Sequence, residues 1–255
     1  MEKRFFDSNF EVVLADTFES KLINYNIRYQ VYCDEMGFED KDVFPDEIEF
    51  DEWDKNSVHF LVRHKSSENW LGGLRLVHSN ANSGEFPFEE WSVPDQQIAD
   101  SQRNNAVEVS RLCVIKNARR FTAKRFAPYG LPDHEVNENG NVKSIFNHKN
   151  QSRSLMWGLL GAAARYSVDH DIRSWYFIVT PALAGLLRIN KFEMTQIGGA
   201  CEHRGERFPY RLDVIKFLEN ALWLDDYKAD YLLHSKIASR GEKARIRDVV
   251  ESLAG

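Results

Sequence analysis

Apolar positions along this chain recur with two periods, and the places where one gives way to the other mark its elements. Phe10–Leu14 reads as an opening strand. Over residues 17–35 Phe18, Leu22, Ile23 and Ile27 fall at helical spacing, with Thr17 or Asp16 as the cap. Residues 58–63 and 70–77 read as strands joined by a turn at 65–69, and 107–115 as a third. A helix is expected over 152–168, where Leu155, Met156, Trp157, Leu159 and Leu160 crowd together. It is followed by a buried strand at 175–179, a short helix over Pro181–Ile189 opened by its proline, and strands near 192–197 and 210–215. Antiparallel strands first, then strand, helix, strand, predict an α/β (α+β) fold: a mixed, mostly antiparallel sheet flanked by helices. We expect one domain over residues 1–217, carrying an inserted segment at 117–151, and a helical C-terminal extension over 218–255.

One strand breaks its own pattern. The run from Ala106 to Ile115 is apolar except for Glu108, Ser110 and Arg111, which sets an acid and a base three residues apart. Side chains alternate along a strand, so the two should point to opposite faces unless a bulge intervenes. A carboxylate in an apolar run is costly to bury without partners. Either this strand is a solvated edge or a site is built on it, and the rest of the chain favours the site.

Composition narrows the classes. A chain of 255 residues with 43% hydrophobic content buries a substantial core. No apolar run approaches the roughly 20 residues of a membrane helix, and charge interrupts the N-terminus before a signal core forms, so a cytoplasmic location is expected. Cys33, Cys113 and Cys201 lack metal spacing and fit a reducing compartment; the histidines show no metal pattern, and no serine nucleophile elbow occurs. The net charge of -6 hides a basic stretch at 116–153, with eight Lys or Arg against three acids. That stretch is either a solvated loop or a docking surface for an acidic partner. Neither nucleic acid nor a membrane span is expected.

Arg28 and Tyr32 at the end of the first helix, Phe38 after it, Asp51 and Asp54, Arg75 after Gly72-Gly73, then Glu108 and Arg111, stand in an order that resembles the acyl-homoserine-lactone (autoinducer) synthases. The run from Val179-Thr180-Pro181 to Phe192 resembles that family's later strand, helix and strand, so the likeness covers about residues 10 to 200. Phe38 stands where the family has Trp, and Tyr32 where it usually has Phe. In size and in its additional segments the chain looks more like the acyltransferases associated with exosortase systems, and it is also similar to the long-chain N-acyl amino acid synthases. All of these share the GNAT-like acyltransferase fold.

The resemblance implies acyl transfer to an amine. Glu108 is then the general base, with a structural ion pair to Arg111 or Arg75 as its other reading; an open cleft beside Glu108 favours the first, and a seal of arginines the second. Arg111 and Arg75 orient acids or hold substrate. Asp51 and Asp54 attract the ammonium of the acceptor, Arg28 anchors their loop or forms part of the acceptor pocket, and Tyr32 and Phe38 wall that pocket. A bulge near Leu112, Cys113 and Val114 frees a main-chain N–H for the thioester carbonyl. Thr180, Trp157, Phe177 and Leu187 line an acyl tunnel or pack in the core. The pyrophosphate loop of the fold is not recognisable, and the helix start at Ser152-Arg153, with His148 and Lys149, is its substitute. No tightly bound cofactor is expected. The donor is an acyl-carrier-protein or acyl-CoA thioester, the carrier protein being slightly favoured. The acceptor is a small amine such as an amino acid, with S-adenosylmethionine as an alternative; a non-catalytic module holding an acidic protein is the rival reading.

Overall fold

A computed structural model describes residues 5–80, 82–116, 134–136, 142–144 and 148–238. In chain order its elements are α1 (Phe5–Asn9), β1 (Phe10–Leu14), α2 (Phe18–Tyr29), β2 (Ser57–His64), β3 (Trp70–His78), α3 (Asp100–Arg103), β4 (Ala106–Val114), β5 (His134–Val136), β6 (Val142–Ser144), α4 (His148–Asp169), β7 (Ser174–Val179), α5 (Pro181–Ile189), β8 (Thr195–Gln196), β9 (Cys201–Glu202), β10 (Glu206–Asp213), α6 (Val214–Leu218), α7 (Leu222–Asp225) and β11 (Leu232–Leu233). Among the described residues the main sheet runs β11-β1-β2-β3-β4-β7-β10-β8, with β9 on β10; β5 and β6 pair with each other. From β1 to β4 every pairing is antiparallel.

Sheet parity sorts the side chains. Phe60, Val62, Leu74, Leu76 and Val107 point to one face, where Leu155, Leu159, Ala162 and Ala163 of α4 complete the core. On the other face Val13, Leu61 and Cys113 meet Ile27 of α2 and Val31. Thr17 caps α2, its hydroxyl accepting from the Ser20 N–H, and beyond Tyr29 the helix widens into a π-helical turn, Gln30–Glu35. Gly73 lets α2 approach: a Cβ there would lie 2.6 Å from Asn24 Nδ2.

The junction of β4 and β7 decides where a site can form. The two strands run parallel and pair over residues 106–108 and 174–176 alone. Past Glu108 and Tyr176 they part, while β3 still holds β4 and β10 still holds β7.

Two expectations shift in position. The strand expected at 210–215 lies at Glu206–Asp213, because Asp213 caps a new helix by accepting from the Lys216 N–H and so draws Val214 and Ile215 into α6. The extension expected to be helical beyond 217 joins the main domain as far as residue 238. Trp223 is buried and donates from Nε1 to the Phe217 carbonyl at 2.6 Å, and β11 adds a parallel strand beside β1. The residues from 239 onward, and the side chains of the basic stretch from 117 to 153, lie outside the described residues.

Candidate active site

A bulge reconciles the acid and the base of β4. Arg75 pairs with Ser110 and Gly73 with Cys113, so Leu74 faces both Arg111 and Leu112. Arg111 takes φ 51°, a left-handed conformation that few non-glycine residues adopt. The extra residue resets the alternation, and Glu108, Ser110 and Arg111 all line one cleft. Gly72 serves the same distortion, since a Cβ there would collide with the Cys113 carbonyl.

Three arginines converge on three carboxylates beneath that cleft. Arg28, wholly buried, donates to Glu49 at 2.5 Å and, through both terminal nitrogens, to Asp54 at 2.6 and 3.0 Å. Arg75 reaches Asp51 at 2.5 Å, Asp54 at 2.9 Å and the Ser110 hydroxyl at 3.0 Å. Arg111 bonds Glu49 at 3.0 Å and Asp51 at 3.1 Å. The formal charges cancel, as buried ions require. Burial pushes the Asp54 carboxyl up, but Arg28 and then Arg75 outweigh it and hold the group below the usual carboxylate range. Glu49 is held down in the same way by Arg28 and Arg111 against its burial. Backbone geometry fixes the loop: Asp51 caps the turn Glu52–Asn56, its Oδ1 accepting from the Trp53 N–H at 3.0 Å, and Asp54 Oδ2 accepts from the Asp51 N–H at 2.7 Å. His59 lies 3.7 Å from Asp54, and burial drives it down to about 3, so it is neutral.

Glu108 stands apart from this network. None of the three arginines forms an ion pair with it; Oε2 accepts the Phe88 N–H at 2.7 Å. Burial pushes its carboxyl up to about 8, with the Phe88 N–H and the charges of Arg75 and Arg111 pulling the other way. It borders an open cleft of about 460 Å³, the arrangement a working base requires and a sealed ion pair lacks. Cys113, one bulge away, is a buried thiol pushed up to about 12 and is unsuited to act as a nucleophile.

Where β4 and β7 part, a second, apolar cavity of about 160 Å³ opens, lined by Val109, Leu160, Trp175, Phe177, Leu183, Leu187, Leu212 and Phe217. Tyr32, Arg111, Leu112, Ile178 and Arg207 border both spaces. Of the residues expected at the site, Arg75, Glu108, Arg111, Asp51, Tyr32, Phe38 and Leu112 line the cleft. Arg28 and Asp54 lie below it as supports. Cys113 and Val114 continue β4 past the bulge without lining either space. Phe177 and Leu187 line the apolar cavity, whereas Trp157 packs against Phe192 and Trp223, and Thr180 caps α5. The side chain of Arg153, with the helix start around it, falls outside the described residues. Sequence reasoning assigned no role to Glu49, Glu90, Trp91, His203, Arg204 or Arg207. Glu49 carried a signal, an acid two residues before Asp51; the rest come from loops that only the fold brings together. Trp91 packs on His203 with ring centroids 4.4 Å apart, and Arg204 pairs with Glu39.

Residues 27–127 match the family described as the acetyltransferase (GNAT) domain. The structure is similar to BjaI, a CoA-dependent acyl-homoserine lactone synthase solved with SAM and isopentyl-CoA, at 15% identity over 89% of this chain and 92% of that one, with a TM-score of 0.59. MesI, also a CoA-dependent acyl-homoserine lactone synthase, gives 16% identity over 88% and 98%, with a TM-score of 0.54. TofI, in a ternary complex with an inhibitor and MTA, gives 14% over 80% and 91%, with a TM-score of 0.51. No curated protein matches the sequence. The chain has the GNAT-like acyltransferase fold, and residues 27–127 within it carry the match to the acetyltransferase (GNAT) domain.

Proposed function

We propose that the protein transfers a fatty acyl group from a pantetheine thioester to the amine of a small metabolite such as an amino acid. The observation that carries this reading is Glu108, a buried acid raised to about 8 on the wall of an open cleft and unpaired with the arginines around it. In the proposed course the acyl tail occupies the apolar cavity and the amine enters the cleft. The amine nitrogen attacks the thioester carbonyl carbon while Glu108 takes its proton. A main-chain N–H freed at the Arg111–Leu112 bulge holds the developing oxyanion. The C–S bond then breaks, and the proton on Glu108 passes to the leaving sulfur, giving amide and thiol. Asp51, partly exposed in the cleft, attracts the ammonium before it is deprotonated; Arg75 and Arg111 fix Asp51, and Arg28 fixes Asp54 beneath it.

The donor we propose is an acyl carrier protein, on the strength of the net +5 carried by 116–153, with coenzyme A as its rival. The ordered set Arg28, Asp51, Asp54, Arg75, Glu108 and Arg111 also supports S-adenosylmethionine as an acceptor. The test is mass spectrometry of lipid extracts from cells expressing the chain, paired with thiol release from acyl-carrier and acyl-CoA donors by the purified protein. A new N-acyl product, absent with Glu108→Gln, supports the reading. No thiol release with either donor and a panel of amines, from a protein shown to be folded, overturns it.

A further inference from the structure

The apolar cavity has a built floor. Its mouth is the part it shares with the cleft, and its far end is formed by Leu160 of α4, Trp175 of β7, Leu212 of β10 and Phe217 of α6. Trp175 pairs with Val107, before the point where β4 and β7 separate, so the floor lies where the two strands are still joined. It is 1% exposed, and its Nε1 donates to the Ser167 hydroxyl at 2.9 Å, which in turn donates to the Ala163 carbonyl at 2.8 Å. Phe217 packs on Trp175 with ring centroids 5.2 Å apart and is backed by Phe192 at 4.5 Å and Trp223 at 5.0 Å. Hydrogen bonds fix the indole and interlocked rings fix the phenyl, so the floor cannot recede without opening a close-packed core.

Volume then sets length. A dry apolar cavity of about 150 Å³ admits one benzene ring, about six carbons. At about 160 Å³ this cavity takes a tail of similar size. The thioester carbon and its neighbour belong at the mouth, where the amine reaches them. Acyl chains of about eight carbons therefore fill the space, and longer ones meet Trp175 and Phe217.

We infer that the protein is selective for short- and medium-chain acyl donors, butanoyl to octanoyl, and that Trp175 and Phe217 gauge their length. This sets it apart from the long-chain synthases that its sequence resembles. The inference rests on the acyl-transfer reading above, which seats the tail in this cavity. The purified full chain is titrated, with no amine present, with acyl-pantetheines from butanoyl to dodecanoyl, which carry the arm common to both donors. Affinity should rise about 4-fold per methylene, from about 0.8 kcal/mol each, as far as octanoyl and then level off or fall. Leu160→Phe should move that break to a shorter chain and Phe217→Ala to decanoyl or beyond, each judged in protein whose melting curve shows it folded. Affinity that climbs unbroken to dodecanoyl, no dependence on chain length, no binding at any length, or a break that a folded Leu160→Phe leaves at octanoyl overturns the inference. A break at octanoyl without thiol release from any donor to a panel of amines leaves the gauge standing and overturns the acyl-transfer reading.

Discussion

The carboxylate of Glu108 accepts the main-chain N–H of Phe88 at 2.7 Å, which ties the acid on β4 to the turn Pro87–Glu90 and to none of the arginines beside it. Glutamine at this position keeps an oxygen for the Phe88 N–H and cannot take a proton. Glu108→Gln should melt near the parent temperature and lose roughly 100-fold or more in kcat, the usual scale for a missing general base, in a thiol-release assay.

The same carboxyl sets opposite pH trends for rate and stability. Its folded value, about 8, lies above its ordinary 4.5 because burial favours the neutral acid. The stabilisation from the neutral acid is complete below 4.5 and lost as pH rises through about 8, whereas the base form needed for catalysis accumulates over that range. Catalytic efficiency should climb with pH and level off above about 8, while denaturation midpoints decline. Glu108→Gln should flatten both curves, measured as a pH–rate profile and as urea titrations across the same buffers.

Asp51 and Asp54 should separate by burial. Asp54 and Arg28 are sealed, so Asp54→Asn leaves the buried network of Arg28, Arg75 and Arg111 one negative charge short and should cost about 3–5 kcal/mol in chemical denaturation. Asp51 is 27% exposed, and Asp51→Asn should cost about 1 kcal/mol. Its main effect should be to raise the Michaelis constant for the amine more than that for the acyl donor. Equal effects on both substrates would make Asp51 structural.

His59 predicts acid sensitivity. Burial holds its folded value near 3, below the ordinary 6.5, so its contribution is present above 6.5 and drains away as pH falls through about 3. His59→Phe should narrow the gap between melting temperatures recorded at neutral and at mildly acidic pH.

The parting of β4 and β7 should measure acyl chains. Leu183, partly buried, lines the apolar cavity, and Leu183→Trp adds bulk there with little core disruption. Michaelis constants for long acyl donors should rise, and those for short donors should change less.

The supports of the site were more legible in the sequence than its walls. Apolar spacing located β1, α2, β2, β3, β4, β7 and α5 to within a few residues, because each buries a continuous stripe. The mismatch between Glu108 and Arg111 asked for a bulge, and the bulge lies at Arg111. By contrast β11 is two residues long and has no period to read. Arg207 and His203 lie in segments without a hydrophobic pattern, nearly a hundred residues from β4, and only the pairing of β10 with β7 brings them to the cleft. Asp54 could be recognised as an acid in a dense acidic loop, but its burial depends on Arg28 and Arg75 from two other elements.

Because β4 and β7 stay paired for three residues and then separate, this sheet carries two free edges in its middle instead of only at its rims. Free edges usually invite foreign strands and aggregation. Here Val109 to Leu112 and Phe177 to Val179 confront each other across a gap, with Arg111, Tyr32 and Arg207 around its mouth. A whole strand from another sheet would have to bring neighbouring strands that the gap cannot admit. A lone extended chain with its own amides meets donors and acceptors on both sides, so the architecture selects slender guests by backbone geometry before any side chain reads their chemistry.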